Sequence, residues 1–350
     1  MIRFIRWLLF PVALLYAAIV WLRNRLYDRQ LLRSTAFDIP VVVIGNLAVG
    51  GTGKSPMTEY ILRILPPAMR VTVLSRGYGR KTKGFRTVAT TDDATQSGDE
   101  PLQIKRKFPQ TPVVVCEDRV KAIHQIKENS DAVLLDDAFQ HRALRPSFSI
   151  LLFDFASILK PMLPLPTGSF RDSLYESKRA GIIVITKCPD DIDHAQKMKI
   201  IAKFRKYSQA EVYFSSIAYE ELVDSQGIAF TKEELTLTSV LLLTGIAKPE
   251  PLAAYLLPLV ARLEQLNFGD HHQFTSTDLA TVQQRFEDLA GTKKIIITTE
   301  KDWQRLPPSF LASHPIIIAP IRQQILFNEA SSFDRAINNA FLQQRSVNEY

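Results

Sequence analysis

Residues 41–55 read VVVIGNLAVGGTGKS, a β-branched apolar run that ends in glycines and continues into lysine and serine. The residues that follow, through about Leu65, are compatible with a helix. A strand, a glycine-rich loop and a helix that begins with Gly-Lys-Ser form the P-loop arrangement, in which loop N–H groups and the helix N-terminus bind phosphate. The pattern therefore predicts a nucleotide-phosphate site made by Gly50, Gly51, Thr52, Gly53, Lys54 and Ser55.

The loop departs from the usual pattern at one position. A glycine is expected five residues before Gly53, and this chain has Ala48 there. Gly50 and Gly51 can supply the tight curvature instead, and a purely structural glycine-rich turn is the alternative. Ser55 stands where a P-loop hydroxyl binds Mg²⁺, so the sequence predicts a nucleotide with Mg²⁺.

Composition and charge limit the class of protein. The chain has 350 residues, of which 46% are hydrophobic and 23% charged, enough for two α/β domains. Residues 1–33 contain six arginines and one acidic residue, so they hold five of the seven net positive charges. The rest of the chain is nearly neutral, which argues against nucleic acid as a partner. Cys116 and Cys188 are far apart and are expected to be reduced thiols.

The N-terminal segment has an apolar run from Trp7 to Leu22 with arginines on both sides. A helix of this run is roughly 24 Å long, short of the roughly 30 Å hydrocarbon core of a bilayer. We expect a helix that dips into the inner leaflet or lies along it, with arginines on anionic headgroups. The predicted location is the cytoplasmic face of the inner membrane, as a monotopic protein; a single membrane span is the alternative.

Acidic residues follow two other predicted elements. Asp99 and Glu100 come after a glycine turn and before a helix, where capping of that helix is the default interpretation of Asp99. Asp136 and Asp137 end the apolar run AVLL, the position at which a second nucleotide motif holds Mg²⁺. We therefore predict a metal site at the carboxyl end of this strand.

Basic and histidine-containing loops are predicted near the same edge. Arg76 and Arg80 flank a glycine loop after the second strand. We predict that these arginines contact an anion or substrate, and a solvated turn is the alternative. Arg171 and Asp172 suit a phosphate or metal contact, with a surface ion pair as the alternative. Further along, Asp270 precedes a histidine pair and can fix an imidazole tautomer.

The predicted fold class is α/β, with a P-loop NTPase-type α/β/α core, a second, smaller α/β/α lobe and an N-terminal membrane-associated helix. The proposed divisions follow changes in pattern along the chain. They are the N-terminal helix (1–36), the P-loop core (37–220), a linker (221–239), the smaller lobe (240–325) and a C-terminal helix (326–350).

These motifs together resemble one family, the tetraacyldisaccharide 4′-kinases of lipid A biosynthesis. The resemblance covers about residues 1–320 in family order. Its segments are GNL at 45–47, GGTGKSP at 50–56, SRGYGR at 75–80, GDEP at 98–101, DR at 118–119, DDAFQH at 136–141, DHH at 270–272 and TEKD at 299–302.

The resemblance implies an ATP- and Mg²⁺-dependent kinase that phosphorylates the 4′-hydroxyl of a tetraacylated glucosamine disaccharide 1-phosphate. It implies that Lys54 contacts the β- and γ-phosphates and that Asp99 acts on the sugar hydroxyl, supported by His271 with Asp270. The implied metal-site residues are Ser55, Asp136, Asp137 and Asp172. The substrate-binding candidates are Arg76, Tyr78, Arg80, Arg119 and His141.

The chain departs from the family pattern at three positions: Ala138 replaces a glycine, Asp172 a glutamate and Ser55 a threonine. The shorter carboxylate of Asp172 leaves its role open. The competing hypothesis is a membrane-associated P-loop NTPase switch without a lipid acceptor, which would not need Asp99 or the Asp270–His271 pair. No obligate protein partner is evident from the sequence.

Overall fold

The computed structural model describes residues 9–224, 226–270 and 272–342. Its strands are β1 (Val41–Asn46), β2 (Val71–Ser75), β3 (Arg86–Thr87), β4 (Val113–Val115), β5 (Ala132–Asp136), β6 (Phe148–Asp154), β7 (Ile182–Thr186), β8 (Glu211–Tyr219), β9 (Ser239–Thr244), β10 (Arg262–Asn267), β11 (Lys294–Thr299), β12 (Ile316–Ala319) and β13 (Ile321–Ile325).

The helices of the same ranges are α1 (Phe10–Asp28), α2 (Lys54–Ile64), α3 (Ala94–Ser97), α4 (Asp99–Lys107), α5 (Arg119–Ile126), α6 (Phe155–Ile158), α7 (His194–Arg205), α8 (Lys232–Thr236), α9 (Glu250–Leu256), α10 (Ser276–Asp288), α11 (Glu300–Trp303), α12 (Pro308–Ser313) and α13 (Ala330–Leu342). Short 3₁₀ helices cover Lys127–Asn129 and Leu174–Arg179.

The larger sheet has nine strands in the order β13-β8-β7-β6-β1-β5-β2-β4-β3. Strand β1 lies at its centre, between β5 and β6, and both pairings are parallel. Only the two outermost strands, β13 and β3, pair antiparallel with their neighbours. The predicted α/β class is confirmed, and the carboxyl ends of the parallel strands meet at one edge of the sheet.

Alternating side chains of β1 enter two different cores, because successive residues of a strand point to opposite faces. Val41 and Val43 pack with residues of α5 and α7, whereas Val42 and Ile44 pack with residues of α2 and α13. The sheet is therefore covered on both faces. This explains why its central strands read as continuous apolar runs.

The smaller sheet has the order β10-β9-β11-β12, and all its pairings are parallel. Leu252 and Leu256 of α9 pack in the core on one face, and Val282 of α10 packs in the core on the other. A second α/β lobe was predicted here. Its predicted end at residue 325 differs from the structure, because β13 pairs with β8 in the larger sheet. The smaller sheet ends at Ala319.

Helix α1 runs further than the predicted apolar segment and rests on the larger lobe at few points. Only Ala13 and Asn24 are buried along it. At its C-terminal end, Asp28 forms ion pairs with Arg142 at 2.6 Å and Lys178 at 2.9 Å. In the described ranges, no helix is both long and apolar enough to cross a membrane.

Candidate active site

The phosphate loop connects β1 to α2 and is held by its carbonyl oxygens. Thr186 Oγ1 donates to the carbonyl of Thr52 at 2.8 Å, and Gln323 Nε2 donates to that of Gly53 at 3.5 Å. Gly53 has φ of +82° and caps α2, a left-handed conformation that favours glycine. These contacts fix a tight loop at the start of a helix, which is the geometry of a phosphate site.

Lys54 faces the acids that end β5. Its ammonium lies 3.7 Å from Asp137 Oδ1. Burial raises the pKa of Asp136 to about 7, with the Glu100 carboxylate acting in the same direction and Lys54 opposing it. The predicted neighbourhood of Lys54 with Asp136 and Asp137 is therefore present in the structure.

The same acids fit a divalent cation. Asp136 Oδ1 and Asp137 Oδ1 are among the buried oxygens of the described chain that have no hydrogen-bond partner. Mg²⁺ is commonly bound by one or two carboxylates together with substrate phosphates and water, so two carboxylates and the buried Ser55 hydroxyl suffice. A group of three or more His, Cys, Asp or Glu able to hold a metal does not occur in the described ranges.

Asp99 lies at the first turn of α4 and meets the smaller lobe. Its carboxylate is paired with the guanidinium of Arg305, and Arg305 also lies 3.1 Å from Asp302. Asp302 in turn accepts from the backbone N–H of Gly245 at 2.9 Å, just after β9. The carboxyl edge of the smaller sheet thus faces the predicted catalytic acid.

Glu100, next to Asp99, forms a second link between the lobes. Lys301 Nζ lies 2.5 Å from Glu100 Oε1. Burial acts to raise the pKa of Glu100, but the charge and hydrogen bond of Lys301, together with the charge of Lys54, lower this pKa overall. No site role was predicted for Glu100, Lys301 or Arg305. The available signals were the GDEP segment at 98–101, which contains Glu100, and the TEKD segment at 299–302, which contains Lys301.

Two of the predicted substrate-binding arginines differ in their surroundings. Arg80 pairs with Glu117 at 2.6 Å and donates to the carbonyl of Gly84 at 2.7 Å, so its guanidinium holds its own loop. Arg119 is buried and donates to the carbonyl of Glu117 at 2.8 Å. Burial lowers the pKa of Arg119, and the charge of nearby Arg76 adds to this effect.

His141 belongs to the same cluster. Its Nε2 is buried and has no hydrogen-bond partner within the described ranges. Burial lowers the pKa of His141, and Arg119 and Arg76 act in the same direction. Tyr78 lies on the same loop as Arg76 and is 72% exposed. Arg76, Arg119 and His141 therefore form a basic cluster close to Asp136 and Asp137, where an anion would be stabilised.

Asp172 is bound by α1 in the structure. Both carboxylate oxygens of Asp172 accept from Asn24 Nδ2 of α1, at 3.1 and 2.9 Å. Its neighbour Arg171 faces the site instead, with Nη1 3.7 Å from Asp137 Oδ2. The metal role of Asp172 remains a prediction, and its observed contacts are those of a residue that holds α1.

The predicted Asp270–His271 pair falls partly outside the description of the chain, because His271 is not among the described residues. Asp270 is exposed. The next histidine, His272, is hydrogen-bonded through Nε2 to Asp278 at 2.9 Å and stacks on Phe268. The orienting role of the Asp270–His271 pair therefore stays a prediction.

Comparisons with known proteins agree with these features. The sequence model of the family described as LpxK, tetraacyldisaccharide-1-P 4′-kinase, matches residues 5–342. The tetraacyldisaccharide 4′-kinase of Bacteroides thetaiotaomicron is 40% identical over 354 residues, covering 96% of this chain and 93% of that relative. The Flavobacterium johnsoniae protein of the same name is 39% identical over 336 residues, covering 95% and 96%.

A solved structure is similar over nearly the whole fold. The crystal structure of LpxK from Aquifex aeolicus in complex with ATP has a TM-score of 0.76 and 26% sequence identity, and covers 96% of this chain and 99% of that chain. The match includes both lobes, since it extends over nearly all residues. The chain therefore belongs to the tetraacyldisaccharide-1-P 4′-kinase family.

Proposed function

We propose that this chain transfers the γ-phosphoryl group of ATP to the 4′-hydroxyl of a tetraacylated glucosamine disaccharide 1-phosphate, a step of lipid A biosynthesis. Family membership and the ATP-bound relative support the activity and the nucleotide. The observation that carries the proposal is that Lys54 lies 3.7 Å from Asp137 at the end of β5, while the carboxylate of Glu100, next to Asp99, acts on the pKa of Asp136. This arrangement would let a phosphate donor and a hydroxyl acceptor lie side by side.

On the donor side, Lys54 contacts the β- and γ-phosphates and the N–H groups of residues 50–53 surround them. Ser55, Asp136 and Asp137 would hold Mg²⁺, which supplies charge neutralisation on the phosphates when bound. Asp136 and Asp137 have buried oxygens available for this purpose. Arg171, 3.7 Å from Asp137, keeps the carboxylate oriented toward the site.

On the acceptor side, Asp99 orients the sugar hydroxyl and accepts its proton late in the transfer. The ion pair with Arg305 supports the orienting part of this role, because it keeps the carboxylate charged and fixes its direction. Phosphoryl transfer needs positioning and charge neutralisation more than covalent chemistry from the protein. Asp270 and His271 are proposed to assist Asp99 from the smaller lobe.

The basic cluster of Arg76, Arg119 and His141 would bind the 1-phosphate of the acceptor or the triphosphate of the donor, with the exposed Tyr78 beside it. Arg80 contributes by holding the loop through Glu117. A buried guanidinium such as Arg119 binds phosphate oxygens strongly because it is only partly hydrated.

We further propose that α1 lies on the cytoplasmic face of the inner membrane. Leu15, Ile19 and Trp21 are 62%, 61% and 59% exposed, an arrangement that suits apolar side chains placed in lipid. Arg25 and Arg29 flank this surface and can contact anionic headgroups. A substrate with four acyl chains leaves a bilayer at great cost, so its kinase benefits from binding there.

The deciding experiment measures transfer of labelled γ-phosphate from ATP to an acylated disaccharide 1-phosphate in detergent micelles, with Mg²⁺. We expect a labelled lipid product and little ATP hydrolysis without the lipid. If ATP is hydrolysed equally fast with and without the acceptor and no lipid is labelled, the chain acts as an NTPase switch and the kinase assignment is wrong.

A further inference from the structure

Helix α1 makes one buried polar contact that a simple anchor does not need. Asn24 is 3% exposed, although most of its helix is open to solvent. Its Nδ2 donates to both oxygens of Asp172, at 3.1 and 2.9 Å, and the backbone N–H of Ser173 donates to Asp172 Oδ1 at 2.8 Å. The carboxylate is thus held from two sides, by the helix and by its own loop.

A second contact joins α1 to the same loop. Tyr16 Oη donates to the backbone carbonyl of Arg171 at 3.0 Å. Tyr16 and Asn24 are eight positions apart, about two helical turns, so they contact the loop from the same face of α1. We call residues 168–172 the bridging segment.

The bridging segment is paired with the phosphate loop on its other side. The N–H of Arg171 donates to the carbonyl of Leu47 at 2.8 Å, and the N–H of Val49 donates to that of Ser169 at 2.8 Å. Ala48 and Phe170 form an antiparallel bridge between these two contacts. Any shift of the bridging segment is therefore transmitted to residues 47–49, which lead directly into the glycines.

The side chain of Arg171 completes the connection, since it lies 3.7 Å from Asp137. One continuous set of contacts therefore runs from α1, through Asp172 and Arg171, to an acid of the proposed metal site and to the phosphate loop. Buried hydrogen bonds to a carboxylate are stronger than neutral ones and fix orientation well.

We propose that Asn24 is a positioning residue for phosphoryl transfer: it holds the bridging segment so that Arg171 and the phosphate loop are aligned. The helix that faces the lipid is then part of the framework of the active site, in addition to being an anchor. This inference rests on the proposed function. It also accounts for the aspartate at position 172, whose carboxylate meets the amide of α1.

The test uses the full chain in detergent micelles, where binding to a bilayer is not required. Asn24→Leu removes the donor and keeps a side chain branched at the same carbon, and Asn24→Asp places two carboxylates together. We expect kcat for lipid phosphorylation to fall about tenfold in Asn24→Leu and further in Asn24→Asp, with the KM for the lipid nearly unchanged. The exchanged pair, Asn24→Asp with Asp172→Asn, restores a hydrogen bond between the two side chains. Because Asp172 is also a predicted metal residue, this pair is read by exchange protection and not by kcat.

Hydrogen–deuterium exchange gives a readout that is independent of activity. Peptides that cover residues 47–49 and 169–172 should exchange faster in Asn24→Asp and return to wild-type protection in the exchanged pair. Asn338→Ala is the matched control, because the amide of Asn338 donates to the carbonyl of Asp334 within α13, away from the bridging segment in the chain. It should change neither kcat nor exchange in these peptides.

Two results would overturn the inference. One is wild-type kcat and wild-type exchange in Asn24→Leu and Asn24→Asp. The other is an exchanged pair in which residues 47–49 and 169–172 exchange as fast as in Asn24→Asp, which would mean that the hydrogen bond between residues 24 and 172 does not hold the bridging segment. A wild-type protein that labels no lipid would instead contradict the proposed function, and the exchange measurements would still decide whether Asn24 positions the loop.

Discussion

Asp99 connects the two lobes through its side chain. It begins α4 in the larger lobe, and its carboxylate is bound by Arg305 of the smaller lobe. Arg305 is itself fixed by Asp302 and by the carbonyl of Gly245 at 3.2 Å. A carboxylate that is held by the smaller lobe is well suited to orient a hydroxyl, because the direction of the carboxylate does not depend on the substrate.

The first prediction concerns this residue. Asp99→Ala should lower lipid phosphorylation by roughly 100-fold or more, because the acceptor hydroxyl loses its orienting group. ATP affinity, measured by equilibrium binding, should remain nearly unchanged. Asp131→Ala is the control, since Asp131 forms an exposed ion pair with Arg70 at 2.6 Å. Loss of ATP binding in Asp99→Ala would make Asp99 a structural residue of α4.

Single residues of this site differ in how well the sequence predicts them. Asp136 and Asp137 were predictable because they end a buried strand, and strand ends of a parallel sheet share one edge. Arg305 was not predictable, since its contact with Asp99 depends on how two lobes dock. Asp172 shows the same limit: its partner, Asn24, lies in a helix whose packing no local pattern determines.

At the scale of elements, α1 presents two different faces. One face contacts the larger lobe through Tyr16, Asn24 and Asp28. The remainder exposes large apolar side chains, which a helix of a soluble protein would bury. The sequence predicted the helix from its apolar run, but the polar contacts extend it to Asp28.

The second prediction separates anchoring from folding. Leu15→Glu with Ile19→Glu should weaken sedimentation with vesicles that contain anionic lipid, because two exposed apolar side chains are replaced by charges. Leu237→Glu with Leu257→Glu is the matched control, at residues that are 76% and 65% exposed in the predicted linker and the smaller lobe. Equal sedimentation of the two double variants would exclude this face of α1 as the main membrane contact.

At the scale of the whole molecule, the lobes are joined behind the site by a buried charge cluster. Lys107 of α4 lies 2.6 Å from Glu59 of α2 and 2.5 Å from Glu300 of α11. Burial raises the pKa of Glu59 to about 7, and the charge of Glu300 acts in the same direction. The pKa of Glu59, on the helix that follows the phosphate loop, therefore depends on Glu300 of the smaller lobe.

The third prediction follows from the raised pKa of Glu59. Between pH 4.5 and 7 the folded protein keeps a proton that the unfolded chain has released, so this group lowers the free energy of unfolding as the pH rises. Glu59→Gln cannot ionise. Its stability relative to the wild type should therefore increase from pH 5 to pH 8, by roughly 1–3 kcal/mol.

Thermal unfolding in detergent at the two pH values measures this difference. Glu128→Gln is the control, because the side chain of Glu128 is 80% exposed. An identical difference between Glu59→Gln and the wild type at pH 5 and pH 8 would mean that Glu59 titrates as an ordinary carboxylate.

The sequence predicted two α/β lobes, but it did not predict that the chain returns from the smaller lobe to the larger sheet. Alternating apolar runs and helices indicate the elements of each lobe, and these are local features. Strand β13 pairs with β8 across more than a hundred intervening residues. Its own sequence, IRQQI, has three polar residues between two isoleucines, so its pattern does not predict a strand of the sheet. The predicted boundary at 325 therefore fell after β13 instead of before it.

That return has a consequence for biosynthesis. Strand β8 ends at Tyr219 and β13 begins at Ile321, so ribosomes need roughly 5–20 s between the two. During this interval the larger sheet keeps an open edge, the kind of surface that pairs with other chains. Gln323, which binds the carbonyl of Gly53, also arrives with β13. A nascent chain thus completes its nucleotide site only after the smaller lobe has been made.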